Sequence, residues 1–201
     1  MRIIVSGALC LIAVSWAIAC GNPGGSTGQS QTSAALGALA VAAPSAVQAS
    51  SAGSKSIERR VTMMDACDGP TFNAAVGPGT CSRPQGVSFS DFLAQLTAHQ
   101  FAGAWHNAPS QTNAFLGDSI VAVNNGGEVH TFTRVAAYGG GIVPFLNDLT
   151  GNPDVAPECN VATDFVPPGG TDTDELDKAG ELKFQCCIHP WMRTTVTVKS
   201  H

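Results

Sequence analysis

The chain has 201 residues, a net charge of −5 and only 12% charged residues. No basic patch is present to neutralise phosphates, which excludes a nucleic-acid partner. With 44% apolar residues, 6% aromatics, 22 glycines and 12 prolines, the composition fits a modest β-rich core and not a large helical one.

The N-terminus comes first. "MRIIVSGALCLIAVSWAIAC" carries Arg2, then an apolar run from Ile3 to Ala19 that ends in small residues. It is short for a membrane span and reads as a signal peptide over 1–19. Ala17-Ile18-Ala19 fits a small-x-small cleavage site, and "AIAC" resembles the bacterial lipobox, which makes Cys20 the lipidated residue. Plain secretion is the alternative. Either way the mature chain lies outside the cytoplasm, on the periplasmic or extracellular face, where disulfides persist.

Residues 20–57 are Gly, Ser, Ala, Gln and Pro with almost no charge, a linker composition that buries no core. As a flexible coil of about 37 residues it spans on the order of 30–35 Å, enough to tether a domain above a membrane. The folded domain is assigned to 58–201.

"SFSDFLAQLTAHQ" (88–100) has helical spacing at Phe92, Leu93 and Leu96, with Ser90 able to cap it. "SIVAVNN" (119–125) and "EVHTFTRVAAY" (128–138) read as two strands joined tightly by Gly126-Gly127. Residues 139–180, with "YGGG", several prolines and the acids Asp172, Asp174, Glu175 and Asp177, read as a long loop, the acids as a solvated surface. "ELKFQCCI" (181–188) and "TTVTVK" (194–199) form a further strand pair. Short strands broken by turn residues predict a β-sandwich or barrel.

Five histidines are available for chemistry. His201 is terminal and His99 lies on the helical stretch, so both read as solvated; His106 reads as an ordinary, partly buried histidine. His130 and His189 each lie beside a strand end. Side chains along a strand alternate between faces. Phe184, Cys186 and Ile188 therefore share the apolar face, and Lys183, Gln185 and Cys187 the other. Cys186 points to the core. His189 follows where Pro190 ends ladder pairing, and Met192 lies on the return of the tight loop. With His130 from another strand, the set His130, Cys186, His189 and Met192 is two imidazoles, a thiolate and a thioether. That is the donor set of a blue-copper site; zinc prefers four firm donors.

"FQCCIHPWM" resembles the copper loop of the cupredoxins, closest to the short amicyanin form and more distantly to plastocyanins and pseudoazurins. "VAVNNGGEVHTFT" resembles the family's first-histidine strand. There an Asn ahead of the histidine helps hold the copper loop, a place filled here by Asn124 or Asn125. The resemblance covers about 103–199. It implies a Greek-key β-sandwich binding one copper ion through His130, Cys186, His189 and Met192, with His189 near the surface in an apolar patch beside Pro190 and Trp191. Three departures stand out: the insert 139–180, the segment 58–102 with its short helix, which the minimal fold lacks, and Thr131 where many members have Asn. Backbone amides near Asn124 and Asn125 are candidate donors to the Cys186 sulfur.

Four further cysteines, Cys67, Cys81, Cys159 and Cys187, allow three pairings. Cys67 and Cys81 bracket a Gly- and Pro-rich loop; closing about 15 residues stabilises by about 3 kcal/mol in the chain-entropy model. Cys187 faces away from the core under the insert that holds Cys159. The expected bonds are Cys67–Cys81 and Cys159–Cys187. The competing assignment gives the metal to Cys187 and the disulfide to Cys186.

There is no C-x-x-C-H for haem, no His-Cys-His cluster of a multicopper oxidase, and no catalytic triad, phosphate loop or carboxylate pair, so no enzyme is expected. The expectation is a monomeric, lipid-anchored one-electron carrier with a transient redox partner. A copper storage, delivery or sensing protein, or a metal-free interaction module, are the alternatives.

Overall fold

The structure, a computed structural model, describes residues 56–201. The expected signal peptide 1–19, Cys20 and the part of the expected tether up to residue 55 lie outside the described residues.

In chain order the elements are β1 (Glu58–Met64), α1 (Gly69–Ala75), α2 (Phe89–His99), β2 (His106–Ala108), β3 (Gln111–Phe115), β4 (Ser119–Asn124), β5 (His130–Thr131), β6 (Thr133–Val135), α3 (Pro144–Leu149), a 3₁₀ turn (Pro157–Val161), β7 (Phe165–Val166), β8 (Thr171–Glu175), β9 (Gly180–Gln185) and β10 (Arg193–Lys199). They form a Greek-key β-sandwich. One sheet has the order β2-β1-β4-β8, the other β3-β10-β9-β6, and β5 and β7 make a short ladder of their own. β1 runs parallel to β4 and β3 parallel to β10; the remaining pairs are antiparallel.

The pleat explains what faces the core. In β10 Thr194, Val196 and Val198 are buried and alternate with more exposed neighbours, a period of two. β4 is buried from Ile120 to Asn124, the unbroken apolar pattern of a central strand covered on both faces. Val61, Met63, Ile120, Ala122, Phe132, Phe184, Val196 and Val198 meet in one cluster with Phe72, Phe92 and Trp105 from the helical region.

Four expectations change here. The segment 58–102 does more than extend a core at 103–199, because β1 sits inside the first sheet between β2 and β4. Ser88, not Ser90, caps α2, its hydroxyl accepting from the amide of Asp91. The insert 139–180 is not one loop: it contributes α3, the 3₁₀ turn, β7 and the edge strand β8. Asp172 and Asp174 alternate with threonines along β8, and Arg134 reaches both Asp174 and Asp177.

Gly126-Gly127 is not a hairpin turn either. The stretch 128–138 breaks at Phe132 into β5, which pairs with β7, and β6, which pairs with β9. The two glycines serve close approach instead. A Cβ on Gly126 would run into the Asp65 carboxylate, and one on Gly127 into Arg83 and the Cys67 sulfur.

Candidate metal centre

His130 is delivered by β5, whose pairing with β7 fixes it opposite Val166. Cys186 is the first residue past β9. The loop from there to β10 closes on itself: the amide of Cys186 donates to the carbonyl of Met192 at 3.0 Å, and the amide of Met192 to that of His189 at 2.9 Å. His130, Cys186 and Met192 are fully buried, and His189 is 3% exposed.

Three donor atoms converge. His130 Nδ1 and His189 Nδ1 lie 3.3 Å apart, and the Cys186 sulfur is 3.7 and 3.8 Å from them. The circle through these atoms has a radius of about 2.1 Å, within the 2.0–2.3 Å typical of metal bonds to imidazole nitrogen and thiolate sulfur. Met192, in the same loop, supplies a buried thioether in this core cluster.

The sulfur accepts from two backbone amides, Thr131 and His189, each at 3.4 Å. These replace the donors expected near Asn124 and Asn125. Asn125 is exposed, and its amide goes to Met63. Asn124 is buried, but its side chain ties the turn before His130 and not the loop from Cys186 to Met192. It donates to the carbonyls of Glu128 and Val166 and accepts from the amide of Gly126. Thr131 acts from the departing position itself: its hydroxyl accepts from the amide of Cys187 at 2.7 Å.

Behind the two histidines stand two carboxylates that the sequence reading missed. Asp65 Oδ2 lies 2.9 Å from His130 Nε2, with both side chains fully buried. Glu128 Oε2 accepts from Trp105 Nε1 and lies 3.6 Å from His189 Nε2. A signal for Asp65 existed: Val61, Met63 and Asp65 continue one period-two face, so the residue after the strand still points inward. Glu128 carries no comparable pattern.

Electrostatics follow the geometry. Burial alone would push His130 down; Asp65 and the Cys186 sulfur overcome it and hold the imidazole up to about 9. Burial raises the Cys186 thiol, but His130 and His189 outweigh it and carry it well below its usual range. Asp65, opposed by burial, is held below the ordinary carboxylate range by His130 and by the amides of Glu128, Gly127 and Cys67. Burial pushes Glu128 up, against His189 and Trp105.

The cysteine pair divides between two cores. Cys186, the free cysteine among the described residues, belongs to the main core; Cys187 lies in a small second core with Val135, Ala156 and Cys159. Cys67 is bonded to Cys81 and Cys159 to Cys187. Cys187 is thus buried beneath the insert and not turned to solvent.

His189 departs from the surface position implied by resemblance. α2 covers it, the Phe92 ring standing 6.4 Å away at right angles. Trp191 is half-buried, packed edge-on to His189, and donates to the carbonyl of Trp105. An apolar cleft of about 360 Å³, walled by Phe72, Phe89, Phe92 and Phe145, reaches His189 and Glu128. Among the remaining histidines, His99, His106 and His201 are all exposed, so His106 is less buried than expected.

Fold and cluster together define a β-sandwich protein in which a buried cysteine sulfur and two imidazole nitrogens lie close enough that they could hold a metal ion. No protein-family model matches the chain, and no curated protein does. Solved structures similar to it include cupredoxins. A purple cupredoxin from Nitrosopumilus maritimus is 14% identical, covers 70% of this chain and 99% of its own, and has a TM-score of 0.39. A Cu(I) amicyanin mutant is 17% identical over 49% of this chain and 76% of its own, at 0.33. Oxidised plastocyanin from Dryopteris crassirhizoma is 17% identical over 47% and 89%, also at 0.33.

Proposed function

We propose that the chain is a type 1 copper protein that carries single electrons outside the cytoplasm. The observation that carries this reading is the triangle of Cys186 Sγ, His130 Nδ1 and His189 Nδ1, whose size suits a trigonal ion. Met192, buried in the same loop, would be the fourth and weaker donor, and a thioether there would favour copper over zinc. Bound copper would supply a one-electron couple. The chain's part is to keep the donors still: two sheets, a loop closed on its own backbone, and two amides on the sulfur.

The leader, the lipobox-like Cys20 and two disulfides support an extracytoplasmic, lipid-anchored protein; on this reading it is a monomer that meets a redox partner transiently and does no chemistry of its own on a substrate. A second reading, copper storage or sensing, draws on the burial of His189, which lacks an exposed ring edge for a partner. Titration with Cu(II) decides whether copper is bound: a strong visible absorption is expected and should be absent in Cys186→Ser. Reversible voltammetry with fast electron exchange supports the carrier; a bound but electrochemically sluggish ion supports storage or sensing. A chain that stays colourless and takes up no copper ends both readings.

A further inference from the structure

We propose that Asp65 is a positioning residue of the metal centre. It turns His130 so that Nδ1 faces the other donors and, with Glu128 behind His189, biases a bound copper ion toward its divalent state. This rests on the copper reading above.

Asp65 is fully buried, and both its oxygens are engaged. Oδ2 accepts from His130 Nε2 at 2.9 Å, from the amide of Gly127 at 2.8 Å and from that of Glu128 at 3.0 Å; Oδ1 accepts from the amide of Cys67 at 3.1 Å. Four donors of this kind keep a carboxylate charged in an apolar surrounding. The far nitrogen of a metal-binding histidine normally meets such a partner, which fixes tautomer and ring orientation and makes the near nitrogen more basic. Here the partner is the residue just after β1, and the Cys67–Cys81 bond anchors the turn that donates to it.

Charge count gives the direction of the bias. The Cys186 thiolate and the Asp65 carboxylate place two negative charges around the site before Glu128 is considered. A divalent ion balances them; a monovalent ion leaves one buried and unbalanced, which is costly in a low-dielectric interior. The two carboxylates therefore shift the site toward Cu(II) relative to the same donors alone, and its reduction potential lies lower than those donors alone would set. A purely structural role for Asp65, as the acceptor that gathers three backbone amides, would leave that preference unmoved.

The test uses the copper-loaded protein and its Asp65→Asn and Glu128→Gln variants, measuring Cu(II) and Cu(I) affinities by competition and the midpoint potential by redox titration. In Asp65→Asn the Cu(II)-over-Cu(I) preference is expected to fall about ten- to hundredfold, with the potential shifted upward. Nitrogen NMR of the Zn(II)-loaded protein reads the tautomer: His130 is expected to carry its proton on Nε2, with a perturbed Nε2 signal in the variant. Should Asp65→Asn not fold, Glu128→Gln decides, because among the described residues the Glu128 side chain accepts a hydrogen bond from Trp105 and from no backbone amide; the same preference should fall, by less. An unchanged preference in a folded Asp65→Asn, or in Glu128→Gln where the former is unfolded, overturns the proposal and leaves the copper reading intact. If the wild type takes no copper, the copper reading fails and the His130 tautomer in the Zn(II) form decides Asp65 alone. A chain that takes neither metal overturns both.

Discussion

Cys186 and Cys187 share a peptide bond and face two different cores. The first is a free, fully buried thiol in the main sandwich, 3.7 and 3.8 Å from the two imidazoles; the second is bonded to Cys159 beneath the insert. Their substitutions should separate cleanly. Cys186→Ser is expected to abolish visible copper absorption while leaving the melting of the metal-free protein within about 2 kcal/mol of wild type. Cys187→Ser should keep the absorption and lose about 2–4 kcal/mol, the usual range for a disulfide. Spectra and denaturant melts of the two variants side by side check this. Colour lost with Cys187 and kept without Cys186 would reverse the assignment.

Metal uptake should be pH-dependent, with a sign fixed by the two shifted groups. His130 is raised from 6.5 to about 9, so its stabilising share is full below 6.5 and is lost as pH rises through about 9. Cys186 is lowered well below 9.0, so its share is present above 9.0 and lost as pH falls through its folded value. Between 6.5 and 9 the two shares run in opposite directions with pH, which blunts the effect of this pair on the stability of the metal-free protein. Metal binding displaces the His130 proton, so affinity should rise about tenfold per pH unit up to about pH 9. Chelator competition at several pH values measures the slope; a flat profile from pH 6 to 9 would contradict the imidazolium–thiolate pair.

The helical cover has a separate signature. Phe92 is 2% exposed and packs against Phe72, Trp105, Trp191 and His189. Phe92→Ala should cost about 3–5 kcal/mol, the range for deleting a buried aromatic ring. It should also open the apolar cleft over His189, so that a chelator strips the metal faster at unchanged pH. Stopped-flow release rates test the second effect apart from the first. Equal release from both proteins would place the exit route elsewhere.

Local patterning made much of this legible. Period two sorted Cys186 from Cys187 because a strand with one apolar face has little freedom of register. The spacing of Cys186, His189 and Met192 was readable because all three sit on one short loop. What was hidden depends on contacts distant in sequence. Asp65 reaches His130 across 65 residues, and β1 enters the first sheet through a parallel pairing with β4 that no turn signal marks. Gly126-Gly127 looked like hairpin chemistry, yet its glycines are required by the backs of Asp65 and Cys67. The surface position of His189 came from the family resemblance, and nothing in its own loop encodes α2 lying over it.

The Cys67–Cys81 bond links stability to the metal site. Its sequence separation is 14, a loop for which the chain-entropy model gives about 3 kcal/mol. That alone predicts a lower melting point for the Cys67→Ser, Cys81→Ser double variant and nothing about metal. The fold adds more. The amide of Cys67 donates to Asp65 Oδ1, and Asp68, one residue on, caps α1, so the bond anchors both the carboxylate behind His130 and the start of the helical cover. Slackening that turn should lower metal affinity by about tenfold or more, as loss of an outer partner of a histidine ligand does. A conservative control is the double variant Cys159→Ser, Cys187→Ser, which removes a comparable bond from the second core without touching Asp65. It should lose similar stability and keep its affinity. Both pairs, melted and titrated at equal temperature below their transitions, give the comparison; affinity falling equally in the two would reduce the role of Cys67–Cys81 to stability alone.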